Sequence, residues 1–203
     1  MADFVSARTY CHAESIVFLK TKERFGGLSN MAAGFPIEVN GLIFKTSEAL
    51  YQACRFPQQP NIQRLIIEER SPMTAKMRSK PYRELGRSDW LDVRVQVMRW
   101  CLRAKLVHNF ERFAQLLEST GDKPIVEMKS RGADFWGAIN NGNGELIGPN
   151  VLGRLLMELR RDLRKAGPHD FMQLYPLNIP DFILFERSIE PLVRPKSSQS
   201  LFG

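Results

Sequence analysis

From Trp90 to Val107 an apolar side chain returns every three or four residues, through Val93, Val97, Trp100, Cys101 and Ala104. Only an α-helix gathers that spacing onto one face, so this stretch predicts a long core helix, with Ser88 as its cap. A second run of the same kind places Val151, Leu152, Leu155, Leu156, Leu159 and Leu163 on one face, against Arg154, Arg160, Arg161, Arg164 and Lys165 on the other. Asn150 stands where a capping residue belongs, and Gly167-Pro168 closes the run. Two helices of this length, in a chain of 203 residues that is 43% apolar, suit one substantial core rather than two.

Shorter signals fill in the rest. Ser15–Lys20 and Phe35–Val39 read as strands, and Asn40-Gly41 between alternating apolar residues predicts a hairpin into Leu42–Lys45. Thr46 or Ser47 caps a helix that Pro57 stops, with Glu48, Tyr51, Gln52 and Arg55 on one face. Further helices are expected over about Ile62–Glu69, after the Ser71-Pro72 start to about Arg78, and over Phe113–Leu117, with a strand from Ile125. The fold class is therefore mainly α (α+β): about six helices with a minor N-terminal β-hairpin and short strands. Residues 1–167 form the domain. Residues 168–203, apolar but broken by prolines, are expected to pack along its surface to about Val193 and to be mobile after about residue 195.

The net charge is +7 with a pI near 9.5. Residues 168–203 carry three basic and four acidic groups, so the excess belongs to the domain, as a face for polyanions or as a solubilising surface. Cys11, Cys54 and Cys101 are odd in number and far apart and read as reduced core thiols. With the three histidines they give no metal-ligand spacing, so no metal is expected. No apolar run approaches the roughly 18 to 20 residues that span a bilayer, and the N-terminus has no export pattern. A cytoplasmic protein is expected, or a nuclear one in a eukaryote.

Three segments resemble neither ordinary core nor ordinary loop. Ser29-Asn30, beside Gly26-Gly27, suits either a turn or a ligand's hydroxyls. Glu48 lies in the first turn of its helix, where the helix dipole alone stabilises a carboxylate by about 0.3–1 kcal/mol. The run from Asp134 to Asn150, with Trp136-Gly137 and Asn140-Asn141-Gly142, fits a plain hairpin or a phosphate-binding loop ahead of a helix, with Trp136 as a flat surface for a base. Between them, Lys80 precedes Pro81 and is expected to be extended, pointing into a cleft.

Together these segments resemble the NADAR family. The match runs in order over roughly residues 15–166, through Leu28-Ser29-Asn30, Ser47-Glu48 to Arg55-Phe56, Ser71-Pro72-Met73, Lys80-Pro81, Val97-Met98 to Lys105, Glu127, Trp136-Gly137, and Asn150 to Arg160. The resemblance implies a mostly helical N-glycosidase without a cofactor, in which water replaces nitrogen at C1 of a ribose. One branch of the family acts on early riboflavin-pathway intermediates and releases ribose 5-phosphate; another removes ADP-ribose from guanine in nucleic acid, reversing a toxin-like transferase.

The resemblance assigns Glu48 to the oxocarbenium-like ribose or its attacking water, and Lys80 to the leaving nitrogen or, as a nucleophile, to C1. Ser29, Asn30, Tyr51, Arg78, Trp136, Gly137 and Asn150 are the expected substrate-binding residues. The flavin-intermediate branch has an acidic residue after Trp-Gly and a His after the helix glutamate, where this chain has Ala138 and Ala49. Both departures favour release of ADP-ribose from ADP-ribosylated guanine in DNA, single-stranded DNA being the simpler substrate because a base in a duplex must first be exposed. The remaining alternatives are the riboflavin-intermediate activity and a non-catalytic ADP-ribose reader. A DNA ADP-ribosyltransferase of the same system is the expected partner.

Overall fold

The computed structural model describes residues 6–69, 71–130, 132 and 135–196. The helices are α1 (Ser47–Ala53), α2 (Pro60–Glu68), α3 (Pro72–Ser79), α4 (Trp90–His108), α5 (Phe110–Glu118) and α6 (Val151–Ala166). Short strands lie around them: β1 (Arg8–Cys11), β2 (Ile16–Phe18), β3 (Ile37–Val39), β4 (Leu42–Phe44), β5 (Ile125–Glu127), β6 (Ile139–Asn140), β7 (Glu145–Gly148), β8 (Gln173–Leu174), β9 (Ile183–Leu184), β10 (Arg187–Ser188) and β11 (Leu192–Val193). This is the mainly helical α+β architecture that the two long apolar periods predict.

Helix α4 is the centre. Its Val97, Trp100, Cys101, Ala104 and Val107 are buried, and α1, α5 and α6 pack against it. Its start differs from expectation: the helix begins after Asp89, not at Ser88, and the Asp89 carboxylate is held by Arg87 at 2.6 and 2.9 Å instead of capping backbone N–H groups. The Asn40-Gly41 hairpin joins β3 to β4, with φ of 52° and 78° at the turn, where a mirror-image turn matches the strand twist. Thr46 accepts a hydrogen bond from the Ala49 N–H and so starts α1, and Ser71 accepts one from the Thr74 N–H and so starts α3.

Strand β2 runs parallel to β5, and β1 pairs antiparallel with β7, which also pairs with β6. The Asn140–Gly144 turn is thus the tip of a plain hairpin, in which Asn140 and Asn141 accept from the N–H groups of Gly142 and Asn143. Of the three cysteines, Cys54 and Cys101 are buried core thiols, whereas Cys11, on the edge strand β1, is exposed.

The C-terminal extension is more than a surface strap. Phe171, Phe182, Leu184, Ile189 and Leu192 are buried in the same core, and Trp100 of α4 donates its indole N–H to the Tyr175 carbonyl. Gln63 of α2 receives the Phe185 N–H, and the Asn40 side chain bonds the backbone of Ser188 and Glu190. The tail expected to be mobile falls mainly on residues 197–203, outside the described residues, as does Asp134.

Candidate active site

Glu48 is the chemical centre. Its carboxylate is only 2% exposed, yet it is ringed by donors. Asn30 Nδ2 donates to Oε2 at 2.5 Å, Gln52 Nε2 donates to Oε1 at 2.9 Å, and Lys76 Nζ stands 3.8 Å from Oε1. Burial pushes the carboxyl upward, while Lys76, Gln52 and Lys129 pull it back. Two amide NH₂ groups and two cations suit a group that accepts only, which is the ionised form.

The sequence explains the arrangement locally. Gln52 follows Glu48 by one helical turn of α1, so the two share a face. Asn30 arrives on the loop after the single turn Gly26–Leu28, and its carbonyl accepts both the Glu48 N–H at 2.9 Å and the Ser47 hydroxyl at 3.1 Å. That doubled bond between the loop and the start of α1 delivers the Asn30 side chain to the carboxylate.

Tyr51 and Trp136, two expected binding residues, meet beside Glu48. The buried Tyr51 ring lies 4.8 Å from that of Trp90 and meets half-buried Trp136 edge-on at 5.6 Å. Burial, then the Glu48 charge, raises the Tyr51 hydroxyl well above its usual range, so it stays a neutral donor. Arg94 covers Phe135 at 3.8 Å and Arg55 faces Trp90 at 5.7 Å, so the aromatic wall is edged by cations.

The other expected residues are placed differently. Lys80 is helical at φ −59° and ψ −40°, not extended, because a 3₁₀ turn restarts there with Pro81 at a position that needs no N–H. Lys80 is exposed; the lysine that reaches Glu48 is Lys76, one helical turn earlier. Arg78, two residues after Lys76, is carried to another side of α3 and pairs with Glu69 at 2.8 Å.

Asn150 is fully buried, and its amide is used inside the fold: Oδ1 accepts the Glu127 N–H at 3.1 Å and Nδ2 donates to the Ile125 carbonyl at 2.9 Å. It is therefore a structural corner residue, in the left-handed region at φ 48°, and it stands at the start of α6 without capping it by its side chain. Gly137 is a place of close approach, since a Cβ there would meet the Glu127 carbonyl at 2.6 Å and Lys129 at 2.8 Å. Its bareness lets Lys129 cross to Glu127, whose carboxylate it meets at 3.0 Å. The buried Ser29 accepts the Met31 N–H and shapes the loop that presents Asn30.

Sequence reasoning missed Lys76, Lys129 and Trp90 as site residues. Lys129 follows the matched Glu127, and Trp90 was hidden because it also fits the apolar period of α4. Among the described residues no three His, Cys, Asp or Glu side chains gather as a metal-ligand set. A concavity of about 790 Å³, lined in part by His108, Arg112, Arg194 and Lys196, includes neither Glu48 nor its partners.

The NADAR domain model matches residues 17–164. The chain belongs to the NADAR family. Its relatives include the N-glycosidase YbiA of Escherichia coli, 40% identical over 152 residues, covering 73% of this chain and 88% of that protein. A riboflavin biosynthesis protein of Vibrio vulnificus is 34% identical over 162 residues, 79% of this chain but only 41% of that longer one. The NMR structure of E. coli YbiA superimposes with a TM-score of 0.63 at 34% identity, covering 77% of this NADAR chain and 91% of YbiA.

Proposed function

We propose that this NADAR domain hydrolyses an N-glycosidic bond at C1 of a ribose, and that its substrate is ADP-ribosylated guanine in DNA. The observation that carries the reaction is Glu48: a buried carboxylate gripped by two amides, with the Lys76 ammonium 3.8 Å away. As the C1–N bond breaks, its electron pair goes to the nitrogen, which takes a proton from Lys76; the water oxygen attaches to C1 and its proton passes to Glu48. A buried carboxylate also stabilises the positive charge that develops on the ribose. In this reading Lys76 takes the part that the resemblance assigns to Lys80. Trp136 and Tyr51 offer the aromatic wall for a base.

Two features support the finer choice of substrate. The position that carries an acid in the flavin-intermediate branch is Ala138, fully buried and clustered with Val126 and Leu146, so no carboxylate enters from it. The excess positive charge lies on the domain, as a polyanionic substrate requires. The second reading, hydrolysis of early riboflavin-pathway intermediates, is favoured by the likeness to the riboflavin biosynthesis protein of Vibrio vulnificus.

The deciding experiment incubates the protein, with EDTA, with a guanine-ADP-ribosylated single-stranded oligonucleotide and separately with fresh riboflavin-pathway intermediates. Release of ADP-ribose from the first alone, with affinity falling steeply as salt rises, is the expected result. Release of ribose 5-phosphate from the second alone overturns the choice of substrate and leaves the chemistry of Glu48 standing.

A further inference from the structure

Lys105 of α4 is fully buried, and its ammonium ends on the loop that carries Asn30. Nζ donates to the Gly27 carbonyl at 2.6 Å and to the Ser29 carbonyl at 3.0 Å, between the rings of Phe35 and Phe113, whose centroids lie 4.5 and 4.4 Å away. Among the described residues no carboxylate pairs with it.

We infer that Lys105 is a positioning residue for Glu48: it pins residues 27–29 so that Asn30, the next residue, meets the carboxylate at the right place. This rests on the reading of Glu48 as the reacting carboxylate. A buried cation without a counter-ion is a poor way to gain stability, since an apolar side chain of the same volume serves a core at least as well. What an apolar chain cannot do is bond two backbone carbonyls. Buried Leu28 and the N–H bonds of Gly26, Leu28 and Ser29 already seat the loop, but the two carbonyls that Lys105 holds have little else. Ser29 O receives one other hydrogen bond, from the Ala32 N–H, and Gly26 and Gly27 pack closely on Thr21, Leu116 and Phe35 with no side chain to anchor them. From Asn30 onward the chain is tied to α1 by the Glu48 N–H and the Ser47 hydroxyl. Lys105 and α1 therefore hold consecutive parts of the loop, residues 27–29 and Asn30. Burial lowers the Lys105 ammonium to about 7, and the two carbonyls and two ring faces are what favour its charge.

The test follows the Glu48 carboxyl by ¹³C NMR over a pH series in the full chain without substrate, comparing wild type, Asn30→Ala, Lys105→Met and the double variant. Glu48 is faced by Asn30, Gln52, Lys76, Lys129 and Tyr51, all retained in Lys105→Met. Loss of the Asn30 donor is expected to raise the Glu48 midpoint by about one pH unit. Lys105→Met should move it in the same direction by at least about half as much, and the double variant should add little beyond Asn30→Ala. With a working substrate, kcat should fall about tenfold while KM stays within about twofold.

A Glu48 titration in Lys105→Met that matches wild type, while Asn30→Ala shifts it, overturns the assignment. If Lys105→Met does not fold, Lys105→Gln, which keeps one donor, takes its place with a smaller shift. Failure of both to fold would make Lys105 a folding residue and end the assignment. A shift as expected in a protein that turns over neither candidate substrate supports the positioning role and rejects the proposed function instead.

Discussion

Asn30 and Glu48, eighteen residues apart in sequence, clasp each other twice: the Asn30 amide donates to the Glu48 carboxylate at 2.5 Å, and the Glu48 N–H donates to the Asn30 carbonyl at 2.9 Å. Side chain and backbone are thereby locked to one another. The carboxylate cannot turn away without disturbing the first turn of α1, which is the kind of rigidity a reacting group needs.

Glu48→Gln should abolish turnover, by at least about 100-fold in kcat, because the amide neither stabilises positive charge at C1 nor accepts a proton from water. Affinity for ADP-ribose should remain within a few-fold, as isothermal titration will report. Unchanged release of product would remove Glu48 from the reaction, and binding by both forms with turnover by neither would identify a reader.

The same variant should change the way stability depends on pH. The Glu48 carboxyl is raised above its ordinary 4.5 by burial. Between that value and its folded one, the folded chain retains a proton that the unfolded chain has released, so the Glu48 contribution to stability falls as pH rises through this window. Glu48→Gln escapes that loss. The Gln NH₂ faces the donors of Asn30 and Gln52, which sets a constant offset, but the variant's Tm relative to wild type should rise as the pH is raised above about 4.5. A difference in Tm that does not change with pH would contradict this.

Lys76→Met and Lys80→Met should behave differently although the two lysines lie only four residues apart, one on α3 and one just after it. Lys76 meets Glu48 at 3.8 Å with its side chain 52% exposed, whereas Lys80 is exposed and absent from the charges that act on the carboxyl. Loss of the first should lower kcat by about 10- to 1,000-fold, and loss of the second by less than about threefold. Equal losses in steady-state assays would return Lys80 to the site.

Asn150→Ala should destabilise the chain by about 2–4 kcal/mol, since it strands the buried Glu127 N–H and Ile125 carbonyl. Asn150→Asp keeps the acceptor but sets a buried carboxylate against the Ile125 carbonyl, and should lose at least as much at neutral pH. In urea titrations a change below about 1 kcal/mol for the alanine variant would show that water or a backbone shift replaces both bonds.

The helices and the hairpin were legible because their signals are local: the apolar period of α4 and α6, the Asn40-Gly41 turn, and the Ser71-Pro72 start each act within a few residues. That Glu48, Tyr51 and Gln52 share one face of one helix was legible for the same reason, but the expectation of a site there came from the family resemblance. Lys76 and Lys80 share a face too, and only the packing of α3 against α1 decides which reaches the carboxylate. Asn150 misled because a helix start and a buried corner use the same residue type, and the left-handed backbone that distinguishes them has no sequence mark. Lys105 did leave a trace: it falls four residues after Cys101 and eight after Val97, a charge on the core face of the strongest apolar period in the chain. The extension hid its buried role because residues that alternate with prolines show no period at all.

That extension also separates two boundaries that are easily taken for one. The family match closes at residue 164, but the core continues to Leu192 and, at the other end, β1 completes the sheet from residue 8. The surface of α4 around Trp100, which the extension covers with Phe182 and the Tyr175 carbonyl, is thus adapted to a piece of chain that lies outside the family match. A clone cut at the family limits would lay bare an apolar face shaped for a partner it no longer has, and its natural recourse would be a second molecule in the same condition.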